Sequence, residues 1–312
     1  MITSNYSERE LVIWLKLSKV NGLGPRKLIN LYSVFENLNR IYEASDAQLL
    51  NTRLFNERKI IEWNKLKNAS EENFIKVLRE CQENDIHILP LFDSNYPKKL
   101  LNAPYPPFTL FLKGDTSLFN SKIISMVGTR EAGSNALKWT FNRAKELADK
   151  GFTIISGGAL GTDTAAHKGA LESGYGKTIC VLGAGLLKPF PEENIELFKE
   201  VEKKGLLISE HLPTFPGNKI ALLQRNRITS GLSEILVLCS SRLIGGAMVQ
   251  SRIAFEQRVP ILYPSLDLGL HPNEGPEFVR QQYGAKEVKT TEDIVNFYNS
   301  YAKDNPYSQK QL

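Results

Sequence analysis

The chain has 312 residues, 42% of them hydrophobic, and a formal net charge of +5 at pH 7. This length is enough to bury the cores of about two domains. The longest apolar runs, such as Ile235 to Cys239, are far shorter than the roughly 20 residues that span a bilayer. Residues 1–5 have no signal-peptide pattern. We therefore expect an ordinary soluble protein without a membrane partner, whose mild positive charge permits a polyanionic ligand without requiring one.

The cysteines indicate the cellular compartment. Cys81, Cys180 and Cys239 form no CxxC pair and are odd in number, which suits a reducing cytosol. Two of them fall in predicted strands, where a cysteine is typically a small core residue. The sequence therefore predicts a cytoplasmic protein with no metal site and no cofactor.

Helical periodicity dominates the first part of the chain and begins with a helix from Ser7 to about Leu17. Gly22, Gly24 and Pro25 then form a short hairpin that leads into the next helix. This hairpin is either that of a helix-hairpin-helix module, whose backbone amides hold a nucleic-acid phosphate, or a plain packing unit. Residues 1–84 are predicted to form a small all-helical domain.

Residues 85–302 show a different pattern, in which short apolar runs alternate with glycine loops and amphipathic helices. The two clearest loops are residues 128–130 and 156–163. An apolar run, a glycine loop and a helix in series predict parallel strands with helical crossovers. In such sheets, ligands bind at the carboxyl ends of the strands. The fold prediction is an extended Rossmann-like α/β domain with a doubly wound, mostly parallel sheet. Residues 303–312 are predicted to be a polar tail.

The glycine loops suit an anionic ligand. Without a side chain, the backbone approaches a ligand closely, and the N–H groups of the following helix point at an anion, most often a phosphate. Arg130 adds a planar guanidinium that can hold two phosphate oxygens. Glycine between a strand and a helix is also needed for tight packing, so each loop alone is either a phosphate site or a structural turn. Arg225 and Arg227, which flank Asn226, either point into the ligand cleft or form a solvated helix face.

The order of the motifs resembles that of the DNA-processing protein A family, also called DprA/Smf, over roughly residues 8–290. The motifs that carry the resemblance are Tyr96-Pro97, Pro106-Pro107, Val127-Gly128-Thr129-Arg130, Ser156-Gly157-Gly158-Ala159, Ala165-Ala166-His167, Val181-Leu182-Gly183, Ile208-Ser209-Glu210, Arg225-Asn226-Arg227-Ile228 and Gly231-Leu232-Ser233. The resemblance implies a helical domain followed by an extended Rossmann domain. It further implies a non-enzymatic protein that binds and protects single-stranded DNA, helps load a RecA-type recombinase during natural transformation, and forms a homodimer.

The sequence departs from the family pattern at several positions, so it resembles a divergent member. Leu160 stands where the family has an arginine, Leu187 where it has an aspartate, and Gly245 and Gln250 where it has a serine and a threonine. Carried over residue by residue, the resemblance and the loops predict a phosphate-binding site with no catalytic residue. Its members are Gly128, Thr129, Arg130, Ser156, Gly157, Gly158, Gly161, Lys188, Arg225, Asn226, Arg227 and Gly246.

Two polar residues, one in the loop of residues 156–163 and one in the helix that follows it, are predicted to be structural. Asp163 is expected to cap a helix that starts at Thr164, and His167 to pack, because no base, nucleophile or metal partner is spaced to work with it. A different class of function stays open as an alternative, namely a Rossmann nucleotide sensor or a hydrolase of nucleotide N-glycosidic bonds. Glu210 and Glu256 are the carboxylates that a hydrolase would use.

Overall fold

The computed structural model describes residues 6–304, and within them six helices precede the first strand. These helices are α1 (Glu8–Leu17), α2 (Pro25–Phe35), α3 (Leu38–Glu43), α4 (Asp46–Asn51), α5 (Glu57–Lys67) and α6 (Glu72–Glu83). The first begins at a capping box in which the Ser7 hydroxyl and the Glu10 carboxylate satisfy free backbone amides. Of the predicted polar tail, residues 305–312 lie outside the described residues.

The remaining elements form an α/β unit. The strands are β1 (His87–Pro90), β2 (Thr109–Gly114), β3 (Lys122–Gly128), β4 (Phe152–Ser156), β5 (Thr178–Leu182), β6 (Leu206–Ser209), β7 (Ile235–Ser240), β8 (Ile261–Pro264) and β9 (Lys286–Val288). The helices are α7 (Lys98–Leu101), α8 (Ser134–Asp149), α9 (Thr162–Glu172), α10 (Ile195–Lys204), α11 (Lys219–Gln224), α12 (Asn226–Leu232), α13 (Gly246–Glu256), α14 (Glu274–Tyr283) and α15 (Thr291–Asp304). No helix of residues 6–304 has both the length and the apolar composition of a membrane span.

All nine strands of the described chain belong to one sheet, in the order β1-β2-β6-β5-β4-β3-β7-β8-β9. The pairs β1–β2 and β2–β6 are antiparallel, and all other neighbouring strands are parallel. The prediction of a Rossmann-like, mostly parallel sheet after a set of helices is therefore confirmed. The division into separate domains stays a prediction.

The chain reverses its direction of travel across the sheet at β3. From β3 it proceeds through β4 and β5 to β6 on one side, and then returns to add β7, β8 and β9 on the other side. Such a switch point leaves a crevice at the carboxyl ends of the two central strands. Here these strands are β3 and β7, which pair in parallel from Ile124 and Ile235 onward. Just after β3, the Thr129 N–H donates to the carbonyl of Ser240, the last residue of β7, at 2.8 Å, so the ends of the two strands stay together.

Alternate strand residues pack against helices on opposite faces of the sheet. Ile124 and Val237 share a buried cluster with residues of α8, α9 and α15. Val127 and Leu238 lie in a second cluster with residues of α13 and α14. Both faces of the parallel strands are therefore covered, which explains why these strands read as continuous apolar runs rather than alternating ones.

The N-terminal helices share their core with the sheet. Trp14 and other residues of α1 belong to the same buried cluster as Leu112 on β2 and Ile208 on β6. The opposite side of α1 contributes Leu11 to a second cluster, which also contains Phe111. The Trp14 indole N–H donates to the Thr109 hydroxyl at 2.8 Å in a buried hydrogen bond. Because α1 supplies both clusters, the helices and the sheet are expected to unfold together.

Replacement of Trp14 by alanine tests this coupling. We expect Trp14→Ala to lower the free energy of unfolding by about 3–5 kcal/mol, because a fully buried indole is lost. Urea unfolding followed by circular dichroism would measure this loss and the number of transitions. Ile61→Ala, at a position that is 71% exposed on α5, is the control and should change little. Two separate transitions, with the helices unfolding before the sheet, would contradict a shared core.

Candidate functional site

A cleft of about 720 Å³ lies at the switch point between β3 and β7. Its walls are loops and helix starts at the carboxyl ends of the strands, which is where ligands bind in open α/β sheets. The lining residues fall within five segments, namely 127–131, 159–163, 184–190, 216–226 and 241–250. Four of these segments lie at the carboxyl end of a strand or shortly after it, so the fold itself brings distant parts of the sequence together here.

Six of the twelve predicted site residues line this cleft, and six do not. Those in the lining are Gly128, Thr129, Arg130, Arg225, Asn226 and Gly246. Those outside it are Ser156, Gly157, Gly158, Gly161, Lys188 and Arg227. A direct phosphate contact for any of the twelve stays a prediction, but the structure gives several of them a clear structural role.

The glycines hold the loops against one another. A Cβ atom at Gly128 would lie 2.5 Å from the Thr162 hydroxyl and 2.6 Å from the Ser240 carbonyl oxygen. A Cβ atom at Gly161, whose φ is +79°, would overlap the Arg130 carbonyl. The loops after β3, β4 and β7 are therefore packed too closely for side chains at these positions. The close approach that glycine permits here is between loops of the protein.

Arg225 lies on the floor of the cleft rather than on its rim. The residue is only 6% exposed, and a Cβ atom at Gly157 would overlap its guanidinium group. Within the described residues, its hydrogen-bond partner is Asp163, at 3.3 Å from Nη2, while Nε and Nη1 have none. A buried guanidinium with one long ion pair keeps much of its charge unneutralised, so Arg225 contributes positive potential from beneath the cleft.

The prediction that Asp163 caps a helix starting at Thr164 is wrong. The helix α9 begins two residues earlier, at Thr162, and its N-cap is Gly161. Asp163 instead accepts hydrogen bonds from the Ala159 N–H at 3.2 Å and from Arg225. Its carboxylate therefore closes the glycine loop internally and fixes the buried guanidinium, while it also lies favourably at the positive end of α9.

Arg227 is neutralised outside the cleft. Its guanidinium donates to both carboxylate oxygens of Glu210, at 2.9 and 2.6 Å, in a two-pronged ion pair. Its backbone carbonyl accepts from the Gln257 side chain at 3.1 Å. Neither Arg227 nor Glu210 is among the cleft residues. The ion pair connects the end of β6 to α12. Arg227 therefore has a structural role outside the cleft, whereas Arg225 lies in the cleft.

Two cations of the cleft have no counter-ion. Arg130 and Lys219 are exposed and have no ion pair within the part of the chain that the structure describes, whereas Arg242 pairs with Glu131 at 3.2 Å. The N-terminus of α13 also faces the cleft through Gly246, whose carbonyl accepts from the buried Asn226 side chain at 3.3 Å. Free amides at a helix start and unpaired cations both favour an anion.

Ser156 and Lys188 stand apart from this arrangement. The Ser156 hydroxyl is fully buried and donates to the Met126 carbonyl at 2.7 Å, so it ties β4 to β3. Lys188 is exposed on the loop after β5 but is not part of the cleft lining. Both residues support or flank the site without forming its surface.

His167 has the structural role that its sequence context predicts. It is fully buried, and its Nδ1 lies 2.8 Å from the Thr178 hydroxyl. Since that hydroxyl gives its single hydrogen to the Ile154 carbonyl, it accepts from Nδ1–H, and the ring is neutral with a bare Nε2. Burial, assisted by the charge of Arg225, lowers the pKa of His167 to about 3. In residues 6–304 no cluster of three histidine, cysteine or acidic side chains is placed to hold a metal ion.

Sequence reasoning missed several residues of the cleft. Lys219, Arg242 and Ile244 line it but belong to none of the glycine loops that drew attention in the sequence. A weak signal for Lys219 existed, because it lies six residues before Arg225 and follows the Pro216-Gly217 turn. For Arg242 and Ile244 the signal was only their position between a strand and a glycine pair.

The family model described as "DNA recombination-mediator protein A" matches residues 87–299 of the chain. The chain belongs to this family, DprA/Smf. The protein Smf of Synechocystis is 32% identical over 251 residues, which cover 79% of this chain and 62% of that protein. The aligned part therefore spans less than two thirds of that DprA/Smf relative.

Two solved structures of DprA proteins resemble the fold. DNA processing protein A from Streptococcus pneumoniae matches with a TM-score of 0.78 and 24% identity, over 93% of this chain and 98% of that one. DNA processing protein A from Helicobacter pylori matches with a TM-score of 0.62 and 29% identity, over 70% of this chain and 96% of that one. The Helicobacter structure is described as giving insight into a single-stranded DNA binding mode. The first match extends through nearly the whole described fold, including the N-terminal helices.

The contact between Gly157 and Arg225 can be tested by one added methyl group. We expect Gly157→Ala to push the guanidinium away from the buried Asp163 carboxylate and, because that ion pair is broken, to lower the free energy of unfolding by about 1–3 kcal/mol. The matched control is Gly174→Ala, because nothing lies within 4 Å of a Cβ atom there and its φ is not positive. Thermal unfolding compares the two variants. Equal stability of both would contradict the packing of Arg225 on Gly157.

The buried neutral His167 predicts a pH dependence of stability. Its folded pKa of about 3 lies below the ordinary value, so between these values only the unfolded chain binds the proton. Stability is therefore complete above about pH 6.5 and falls as the pH decreases, with a loss of about 2 kcal/mol between about pH 7 and about pH 5. Urea unfolding at both pH values measures it. His167→Gln should reduce the loss by this amount, and an unchanged loss would contradict the assignment.

Proposed function

We propose that the cleft between β3 and β7 binds single-stranded DNA, in keeping with the DNA-processing role of the DprA/Smf family. The observation that carries this proposal is the pair of unpaired cations, Arg130 and Lys219, in one cleft with the start of α13. Arg225 adds a buried positive charge beneath them. Phosphate is the anion that such a combination of guanidinium, ammonium and helix amides best accommodates.

Nucleic acid is favoured over a small anion by the shape and charge of the site. The cleft has a volume of about 720 Å³ and is lined by five segments of the chain, so it is far larger than one phosphate group. A strand that offers successive phosphates would engage the cations of the cleft together. The single-stranded DNA binding mode described for the Helicobacter pylori relative, which is 29% identical, supports the choice of DNA.

The hydrolase alternative lacks a suitable carboxylate. Glu210 pairs with Arg227 outside the cleft, and Glu256, on the last turn of α13, is exposed and pairs with Arg252 at 3.8 Å. The carboxylates that do line the cleft, Glu131 and Asp163, are each paired with an arginine. A free carboxylate that could activate water is therefore missing from the described cleft, and the proposal is a binding function without catalysis.

The wider role is part of the same proposal. Protection of single strands, assistance to a RecA-type recombinase in natural transformation, a homodimer and a cytoplasmic location all come from the resemblance to the family. The geometry of the cleft supports the binding of a strand, on which protection depends, and bears on none of the other three. Equilibrium sedimentation would test the dimer, which a monomer at high concentration would contradict.

Fluorescence anisotropy with labelled oligo(dT) tests DNA binding directly. We expect salt-sensitive binding that unlabelled duplex displaces poorly. Arg130→Ala should weaken the affinity about fivefold to tenfold and reduce the slope of log K against log salt by about 0.7, because one phosphate contact is lost. Deoxythymidine monophosphate, added as a competitor, distinguishes a strand site from a nucleotide pocket.

The matched control for this experiment is Arg79→Ala, which removes the same charge from an exposed site on α6. It should leave the affinity and the salt slope unchanged. Equal weakening by both substitutions would mean that net charge alone drives binding. Binding of duplex as tight as that of oligo(dT), or displacement by the mononucleotide at comparable concentration, would contradict the proposal.

A further inference from the structure

Two large apolar side chains line the cationic cleft and are left open to solvent. Ile244 is 93% exposed, and Phe190 is 45% exposed. Single exposed apolar residues are common on protein surfaces and need no explanation. These two differ because they share one cleft, whose cations Arg130 and Lys219 already favour a phosphate chain.

The two side chains come from different loops around the cleft. Phe190 is on the loop after β5, and Ile244 is on the loop between β7 and α13. In the sheet, β4 and β3 separate these strands, so β5 and β7 are about 14 Å apart. Arg130 lies on the loop after β3, which is one of the two strands between them. In the order of the strands, the loops after β5, β3 and β7 therefore bring an apolar side chain, then a cation, then an apolar side chain to the cleft.

This alternation fits a polymer that has anionic and apolar parts. We propose that Ile244 and Phe190 contact the faces of unpaired bases while Arg130 and Lys219 hold the phosphates between them. The inference rests on the proposed function and adds a reason for single-strand selectivity. In a duplex the base faces are covered by stacking, whereas an unpaired strand offers them to an apolar side chain.

Contact with a base would cover apolar surface that is now exposed to water. An isoleucine that is almost fully exposed gains from any contact that removes its apolar area from water, and a base face is flat and weakly hydrated. Ile244 precedes Gly245, whose φ is +154°, and Gly246, at the start of α13. Its side chain is therefore carried directly beside helix amides that favour a phosphate.

The neighbouring Leu243 provides a matched control. It belongs to the same loop and is 55% exposed, but it is not part of the cleft lining. We would compare Ile244→Ser with Leu243→Ser, using oligo(dT) and an abasic oligonucleotide of the same length as probes. The two probes have the same phosphates and differ in their bases, so their difference isolates base contacts.

We expect wild-type protein to prefer oligo(dT) over the abasic strand. Ile244→Ser should weaken binding of oligo(dT) about fivefold and leave binding of the abasic strand unchanged. Ile244→Leu should retain the preference, and Leu243→Ser should leave both affinities as they are. If Ile244→Ser weakened the binding of both probes equally, or weakened neither, the proposed contact between Ile244 and a base would be overturned.

These measurements distinguish a cleft that binds DNA without base contacts from a cleft that does not bind DNA. If wild-type protein binds oligo(dT) and Arg130→Ala weakens it, but Ile244→Ser has no effect, the cleft binds DNA without the apolar contacts. If wild-type protein binds neither probe, both the function and the inference fail. Binding to oligo(dT) that resists both substitutions would place the DNA on another surface and overturn the inference as well.

A second measurement addresses Phe190. In the variant Phe190→Trp, base stacking on the new indole should quench its fluorescence when oligo(dT) is added. The abasic strand should cause no such quenching. The three native tryptophans, Trp14, Trp63 and Trp139, lie outside the cleft lining and provide a constant background. Equal signals with the two probes would exclude a base contact at this position.

Discussion

The parallel pairing of β3 with β7 is the constraint on which the site depends. These strands come from parts of the chain more than 100 residues apart, yet they bring the loops that carry Arg130 and Arg242 to the same edge of the sheet. The Thr129 N–H donates a hydrogen bond to the Ser240 carbonyl. Gly128 has no side chain that would push the ends of the two strands apart, so they stay in contact. Without this pairing there would be no crevice and no shared field of positive charge.

Beneath the crevice, a buried cation connects packing with electrostatics. Arg225 lies on Gly157 and is held by Asp163, so the glycine loop after β4 is organised around a guanidinium group. A buried charge with incomplete pairing is costly to stability, but it projects a positive potential that salt screens less than that of a surface lysine. The protein thus combines one buried cation with exposed ones that are free to meet a ligand.

Sequence reasoning predicted the architecture well and the site in part. Apolar runs between glycine loops define parallel strands from local pattern alone, so β3, β4 and β5 were predictable. The roles of Arg225 and Arg227 were not, because Gly157, Asp163 and Glu210 meet them only in the folded chain. Ile244 was missed for the same reason. Exposure is a property of the fold, and an isoleucine in a short apolar segment reads like a core residue.

Photocross-linking would test the central claim most directly, because it locates the bound strand on the protein. An oligonucleotide that contains 5-bromodeoxyuridine would be irradiated with the protein, and the modified peptides would be identified by mass spectrometry. The account predicts cross-links within residues 128–131, 184–190, 216–226 and 241–247, which surround the cleft. Cross-links confined to the N-terminal helices, with none at the cleft, would contradict it.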